Sequence, residues 1–161
     1  MQRYVIVTLL KKLSDGKEFA PDNYPLHVTI VPSFTLEFLS QDVIDKLMKH
    51  CSTYPPITLL AGDDEFFGPN NEVRVTPLRM TDKLRILHND ISAIVKAAGA
   101  NFDEPQYMGS NYRAHATVQN DSRIFKDNAV LIDEITIIDK FPDNNPSKRK
   151  LLRTIKLLGK P

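Results

Sequence analysis

The chain lacks most of the features that mark a specialised class of protein. It has 161 residues and a single cysteine, Cys51, which excludes an intramolecular disulfide and a cysteine-rich metal site. Its formal net charge is only +1, which argues against a broad basic surface, so any RNA contact should be local and confined to a groove. No stretch approaches the roughly 18 consecutive apolar residues of a membrane-spanning helix. These absences favour a soluble globular protein.

Length and composition favour one domain. The chain has 42% hydrophobic and 25% charged residues, and its length allows a single domain or two small lobes that share a core. Residues 1–13 contain a short apolar run but end in Lys11-Lys12 without a small-residue cleavage site, so we interpret them as a first strand rather than a signal peptide. We expect a cytoplasmic protein, and nothing in the sequence demands more than a monomer.

Two short stretches share the pattern apolar, His, apolar, Thr, apolar: LHVTI around His27 and AHATV around His115. Strict alternation with β-branched residues predicts a half-buried strand, on which side chains two positions apart share a face. His27 and Thr29 therefore share one face, and His115 and Thr117 share another. If the two strands meet, they offer two imidazoles and two hydroxyls to one small anion.

Helical spacing predicts two helices. Ser40 is a candidate N-cap of the first, which Pro55-Pro56 should end. Thr81 or Asp82 caps the second, and Gly99 lies where a C′ glycine is expected. The apolar stripes predicted for the two helices are Val43, Ile44, Leu47, Met48 and Cys51, and Leu84, Leu87, His88, Ile91, Ile94, Val95 and Ala98.

Alternating or continuous apolar runs predict the strands, and Pro32 is expected to stop the strand of the first motif. The predicted strands cover residues 4–10, 25–31, 57–67, 73–76, 112–119 and 129–139, with loops at 14–24, 101–110 and 141–147. Residues 150–158 are compatible with a strand or a short helix, and we favour the strand. Each half of the chain then holds one helix and one His strand. We expect an α+β domain over residues 1–161, made of two pseudo-duplicated lobes that bring the His strands together at the centre.

Paired histidines suit the cleavage of a phosphodiester or a cyclic phosphate. One imidazole takes the proton of the attacking oxygen and the other protonates the leaving oxygen, since an unperturbed pKa of about 6.5 allows either role near neutral pH. Threonine hydroxyls and a nearby cation can stabilise charge on the phosphate oxygens. A bound anion should raise the pKa values of both rings, and no metal is required.

Other polar residues carry weaker signals. Arg113 and Gln119 have the same parity as His115, so both are candidate substrate-binding residues. Arg113 could bind phosphate bidentately or form a surface ion pair, while Gln119 is the more peripheral of the two. His50 and His88 fall on predicted helices and are interpreted as structural. The basic run KRK at residues 148–150 is interpreted as a solvated face, with an extended RNA-binding surface as the alternative.

The two motifs and the elements around them resemble the two-histidine (2H) phosphoesterases, in particular the 2′-5′ RNA ligase-like branch. The stretch HVTIVPSF from His27 has the proline and phenylalanine that often follow the first motif there. Residues 84–99 are similar to the long amphipathic helix of that family, and YRAHATV from Tyr112 is similar to its second motif. The resemblance implies a bilobal, pseudo-symmetric α+β fold, with antiparallel sheets flanking a central cleft and helices outside.

The resemblance also implies an activity. His27 and His115 would be the acid and the base, and Thr29 and Thr117 would hold the phosphate. The expected reaction is hydrolysis of 2′,3′-cyclic phosphate ends of RNA or of small cyclic nucleotides, or cleavage and joining of 2′-5′ linkages, without metal or nucleotide cofactor. Ala114 replaces the proline that is frequent before the second histidine, and Ile30 and Val118 replace the leucine that is frequent after each threonine. These departures leave the substrate branch open, because several branches of the family share the same four residues.

Two other functions are compatible with the same residues. The first is a non-catalytic RNA-end-binding or regulatory module that uses the same cleft, although such a module need not retain both histidines. The second is a metal site. Two histidines and two threonines fall short of the usual zinc ligand set, and no Cys, Asp or Glu lies at ligand spacing beside them.

Overall fold

A computed structural model describes residues 1–161 as three antiparallel sheets and two α-helices. The strands are β1 Gln2–Leu9, β2 Glu18–Phe19, β3 His27–Leu36, β4 Ile57–Leu60, β5 Glu65–Phe67, β6 Val73–Pro77, β7 Asn101–Phe102, β8 His115–Thr117, β9 Ala129–Ile132, β10 Glu134–Asp139 and β11 Arg149–Lys156. The helices are α1 Gln41–Cys51 and α2 Asp82–Ala97. Neither helix is long and apolar enough to cross a membrane.

Each sheet joins strands that are distant in the chain. The largest has the order β2-β11-β10-β1-β3-β7, so β1 pairs with β3 on one side and with β10, from the C-terminal part of the chain, on the other. A two-stranded sheet pairs β4 with β9, and a three-stranded sheet has the order β5-β6-β8. The element order suggested that each lobe is one contiguous half of the chain, and this was wrong. The pseudo-duplication of the lobes stays a prediction.

The helix ends match the sequence predictions. Ser40 Oγ accepts a hydrogen bond from the amide of Val43, and Thr81 Oγ1 accepts one from the amide of Leu84, so Thr81 rather than Asp82 is the cap. Gly99 has φ +105°, in the left-handed region that follows many helices. The predicted apolar stripes were wrong at Met48 and Ala98, which are both exposed.

Several predicted strands have different bounds. Pro32 does not end the first His strand, because β3 bulges against β1 there and continues to Leu36, and a bulge tolerates the missing proline amide. The runs at 57–67 and 129–139 each divide into two strands that belong to different sheets. The second His strand is only three residues long, whereas the strand near the C-terminus is confirmed.

Two apolar clusters lie on opposite sides of the six-stranded sheet. The larger one joins both helices to the sheets, while the smaller one consists of Val5, Val7, Leu9, Ile138 and Leu151. Cross-strand partners share a face, and in the β1–β3 register Leu9 opposes His27 and Val7 opposes Thr29. The motif side chains of β3 therefore lie on the face that carries the smaller cluster, which we call the cleft face.

Candidate active site

The two His-x-Thr motifs meet where β3 packs against β8. His27 and Thr29 lie on the cleft face of β3, as their alternation predicts. His115 and Thr117 lie on β8, where they oppose Pro77 and Val75 of β6. Burial is the main cause that lowers the pKa of His27, and the positive charge of His115, when present, lowers it further.

Both motif histidines are held in the same way. Nδ1 of His27 is 2.8 Å from the carbonyl oxygen of Pro25, and Nδ1 of His115 is 2.8 Å from that of Arg113. A carbonyl only accepts hydrogen bonds, so Nδ1 carries the proton in each ring and Nε2 is left with a lone pair. Each motif thus supplies one imidazole in a fixed tautomer whose Nε2 has no protein partner.

The pKa values of both rings are lowered. Burial is the main cause for each, since it disfavours the charged imidazolium, and the carbonyl bond to Nδ1 opposes it in part. At His115, Arg113 lowers the pKa further and Glu65 raises it. Both rings are therefore neutral at pH 7 before a ligand binds, and an anion between them favours protonation of one.

An aromatic ring packs against each histidine. The ring of Tyr24 lies 4.2 Å from that of His27, and the ring of Phe67 lies 4.8 Å from that of His115 in an edge-on arrangement. These rings contribute the burial that lowers the pKa values. Sequence reasoning missed both residues, because a loop tyrosine and a strand phenylalanine carry no local signal for such a contact.

The motif threonines keep their hydroxyls free. Thr29 is half-buried and Thr117 is exposed, and neither hydroxyl forms a hydrogen bond within the protein. Each of these unbonded hydroxyls lies on the same strand as a motif histidine and can donate to an oxygen of a phosphate. No group of three or more His, Cys, Asp and Glu side chains is placed to hold a metal ion.

The two candidate substrate-binding residues already have partners. Arg113 is exposed, forms a 2.5 Å ion pair with Glu65 and lies over the ring of Phe67, so in this state it adopts the surface ion pair. Gln119 donates through Nε2 to the carbonyl of Tyr24 at 2.8 Å, which ties the second motif to the ring that covers His27. A direct contact of either residue with substrate stays a prediction.

His88 connects the two motif segments. It is fully buried on α2, its Nδ1 lies 2.7 Å from the carbonyl oxygen of Ile30, and its Nε2 accepts the amide of Gly109 at 3.0 Å. Its ring stacks on Tyr112 at 4.0 Å, and the Tyr112 hydroxyl donates to the carbonyl of Thr29 at 2.6 Å. The carbonyls of Thr29 and Ile30, at the bulge of β3, thus accept hydrogen bonds from Tyr112 and His88. The predicted structural role of His88 agrees with these contacts.

Replacing His88 with leucine should destabilise the protein in a pH-dependent way. The loss at pH 8 is expected to be about 2–4 kcal/mol, because the Ile30 carbonyl and the Gly109 amide lose partners worth about 1–3 kcal/mol each. Burial lowers the pKa of His88, so the unfolded chain binds a proton more readily and the histidine's contribution falls as the pH drops below about 6.5. Urea unfolding of both proteins at pH 8 and pH 5.5 should show a smaller difference at pH 5.5. If the two proteins differed equally in their free energy of unfolding at both pH values, His88 would not be a buried neutral ring.

Solved structures match this one over nearly the whole of both chains. A protein described as a phosphoesterase superposes with a TM-score of 0.60 at 17% identity, covering 98% of this chain and 99% of that one. Escherichia coli LigT in complex with 3′-AMP gives a TM-score of 0.59 at 17% identity over 97% and 98% of the two chains. The chain has the two-histidine phosphoesterase fold.

A protein of Thermus thermophilus adds a further match, with a TM-score of 0.56 at 15% identity over 99% of this chain and all of that one. E. coli LigT has also been crystallised with ATP, with phosphate and with NADP+. A scan against family models and a search of curated proteins each gave no match. The expected α+β fold, with antiparallel sheets that flank a cleft, is confirmed.

Proposed function

We propose that the protein is a metal-independent phosphoesterase that hydrolyses the 2′,3′-cyclic phosphate ends of RNA or of small nucleotides. The observation that supports this most directly is the symmetry of the two motifs. His27 and His115 each use Nδ1 to bind a carbonyl two residues earlier and leave Nε2 unbonded, with a free threonine hydroxyl two residues later. That arrangement offers an acid and a base to one phosphate.

The reaction follows from these groups. Nε2 of one histidine takes a proton from water as its oxygen attacks phosphorus, and Nε2 of the other, protonated once the anion is bound, gives its proton to the ribose oxygen as the P–O bond breaks. The product is a phosphate monoester with one free ribose hydroxyl. Thr29 and Thr117 donate to the non-bridging oxygens, on which charge accumulates. With a ribose oxygen in place of water, the same groups serve 2′-5′ phosphodiester cleavage or joining.

The pH dependence of turnover should show the titration of His27 and His115. We expect a bell-shaped profile of kcat, because the bound phosphate raises the pKa of the histidine that acts as the acid. The acidic limb of kcat/KM, which reports the groups of the free protein, should fall below pH 6.5, since burial lowers the pKa values of both rings there. The measurement is hydrolysis of a short RNA with a 2′,3′-cyclic phosphate end from pH 4.5 to 9, with excess chelator throughout.

Three results would count against this proposal. Loss of turnover in chelator would indicate a metal. An acidic limb of kcat/KM above pH 6.5 would indicate that the buried histidines are not the titrating groups. Tight binding of the RNA end without turnover at any pH would favour the non-catalytic binding module. The position of the phosphate in the product identifies which ribose oxygen leaves.

A further inference from the structure

A pair of cations lies on the cleft face of the six-stranded sheet, beyond the motif of β3. Lys140 follows Ile138 by two positions and Arg149 precedes Leu151 by two, and both of these apolar residues belong to the cluster on that face. Lys140 directly follows β10, and its amide donates to the carbonyl of Arg3 at 2.8 Å, so the ladder of β10 with β1 continues to it. Alternation along this ladder and along β11 therefore directs Lys140 and Arg149 to the same side. Lys140 Nζ crosses the sheet and donates to Ser33 Oγ of β3 at 2.6 Å.

Neither cation has a carboxylate partner. The hydrogen bond to Ser33 is the only one that the Lys140 ammonium makes, and no acidic group lies within 4.0 Å of it. Arg149 is half-buried rather than solvated. Its Nη1 donates to the main-chain carbonyls of Lys140, Pro146 and Lys148, and its Nε is buried without a partner. The Nε of the neighbouring Arg3 also makes no hydrogen bond, but it lies 3.2 Å from Asp103, so Arg3, unlike Lys140 and Arg149, has a carboxylate beside it.

The positive charges of Lys140 and Arg149 repel each other. Burial is the first cause that lowers the pKa of Lys140, and the positive charges of Arg149 and Arg3 lower it further, while Asp103 and Glu104 act in the opposite direction. A desolvated lysine beside an arginine costs stability, and the surrounding residues supply no ion pair that offsets this cost. An anion bound between the two would remove the repulsion.

The pair is continuous with the candidate active site. Arg149 opposes Phe19 of β2, whose ring lies 4.8 Å from that of Tyr24, and Tyr24 in turn covers His27. Burial raises the pKa of the Tyr24 phenol, and the positive charge of Arg149 opposes this rise in part. Along β3, Ser33 lies about 13 Å beyond Thr29 at the usual rise of a strand. A nucleic acid strand that follows β3 from the histidines therefore reaches Lys140.

We propose that Lys140 and Arg149 form a second phosphate subsite, and that the preferred substrate is an oligonucleotide rather than a free cyclic nucleotide. This rests on the proposed function. A terminal 2′,3′-cyclic phosphate occupies both ribose oxygens, so the rest of the chain extends only in the 5′ direction. The subsite thus binds a backbone phosphate on the 5′ side of the reacting group, with Lys140 as a point charge and Arg149 as a directed donor.

The test is a series of RNAs with a 2′,3′-cyclic phosphate end, from mononucleotide to tetranucleotide. In the wild type, kcat/KM should rise roughly tenfold at the length whose 5′-side phosphate reaches the subsite, the scale of one charge-assisted hydrogen bond. Lys140→Gln should abolish that rise and Lys140→Arg should restore most of it. Lys156→Gln removes the same charge from an exposed position at the far end of β11 and should keep the rise.

The salt dependence of kcat/KM is a second measurement, and it would not change in the variant if Lys140 had only a structural role. For the longest RNA, the slope of log(kcat/KM) against log salt should be shallower in Lys140→Gln by about 0.7, the value for one phosphate contact to a single strand. A length profile and a salt slope equal to those of the wild type would overturn the subsite and leave the paired-histidine reaction intact.

Failure of the proposed function is distinguishable from failure of the subsite. If the wild type turns over none of these RNAs, binding of fluorescent 3′-phosphorylated oligonucleotides of the same lengths tests the subsite alone. Affinity that increases with length in the wild type and not in Lys140→Gln would support it. Affinity that is independent of length, or of Lys140, would refute it.

Discussion

Replacing either motif histidine with alanine should lower kcat by about 10²–10⁴-fold, the usual contribution of a positioned acid or base. His27→Ala and His115→Ala remove Nε2 groups that have no partner inside the protein. We therefore expect the strand that carries each residue to stay folded in both variants. The loss should appear in kcat rather than in KM, because proton transfer occurs only in the transition state. Single-turnover hydrolysis of a cyclic-phosphate RNA is the measurement.

The double variant and a control variant at a third histidine test whether the loss of kcat is specific to the two motif histidines. Because acid and base act on one transition state, the double variant should be little slower than the slower single variant. His50→Ala is the matched control, since His50 lies on α1 and bonds to Tyr54 and Asp90 rather than to the motifs. Wild-type rates in both single variants, with unchanged thermal unfolding, would refute the paired-histidine reaction.

Features set by local geometry could be predicted from the sequence. The period of two along a strand places His27 with Thr29 and His115 with Thr117 whatever the rest of the fold does. Helix ends are equally local, which is why Thr81 could be recognised as a candidate cap. The fold class followed from the element order together with the resemblance of the two motifs.

Features that depend on contacts between distant segments could not be predicted. The run at 129–139 has the pattern of one strand, because the passage from one sheet to the next occupies only Asp133. Tyr24 reaches His27 through the fold of a loop, and Arg149 within the basic run is half-buried for reasons that its neighbours in sequence do not reveal. Sequence pattern shows where charges are, whereas only the packed structure shows which of them lack a partner.

The threonines should have the next largest effect, because they supply hydroxyl donors and nothing else. Thr29→Val and Thr117→Val keep the β-branched shape that suits a strand and remove the donor to the phosphate oxygen. Loss of one such donor costs about 10²-fold in kcat where charge develops in the transition state. The same two variants should leave the pH profile in place, since both imidazoles remain, and this separates their role from that of the histidines.

Thr58→Val is a matched control for these variants, because Thr58 is exposed on β4 and opposes Leu131 of β9. It should turn over substrate at the wild-type rate. If Thr29→Val and Thr117→Val raised KM and left kcat unchanged, the hydroxyls would bind ground state and transition state equally. If neither variant differed from Thr58→Val, the two hydroxyls would not contact the phosphate in the transition state. The site would then have to place its anion against the histidines alone, without the donors that the alternation of both strands brings beside them.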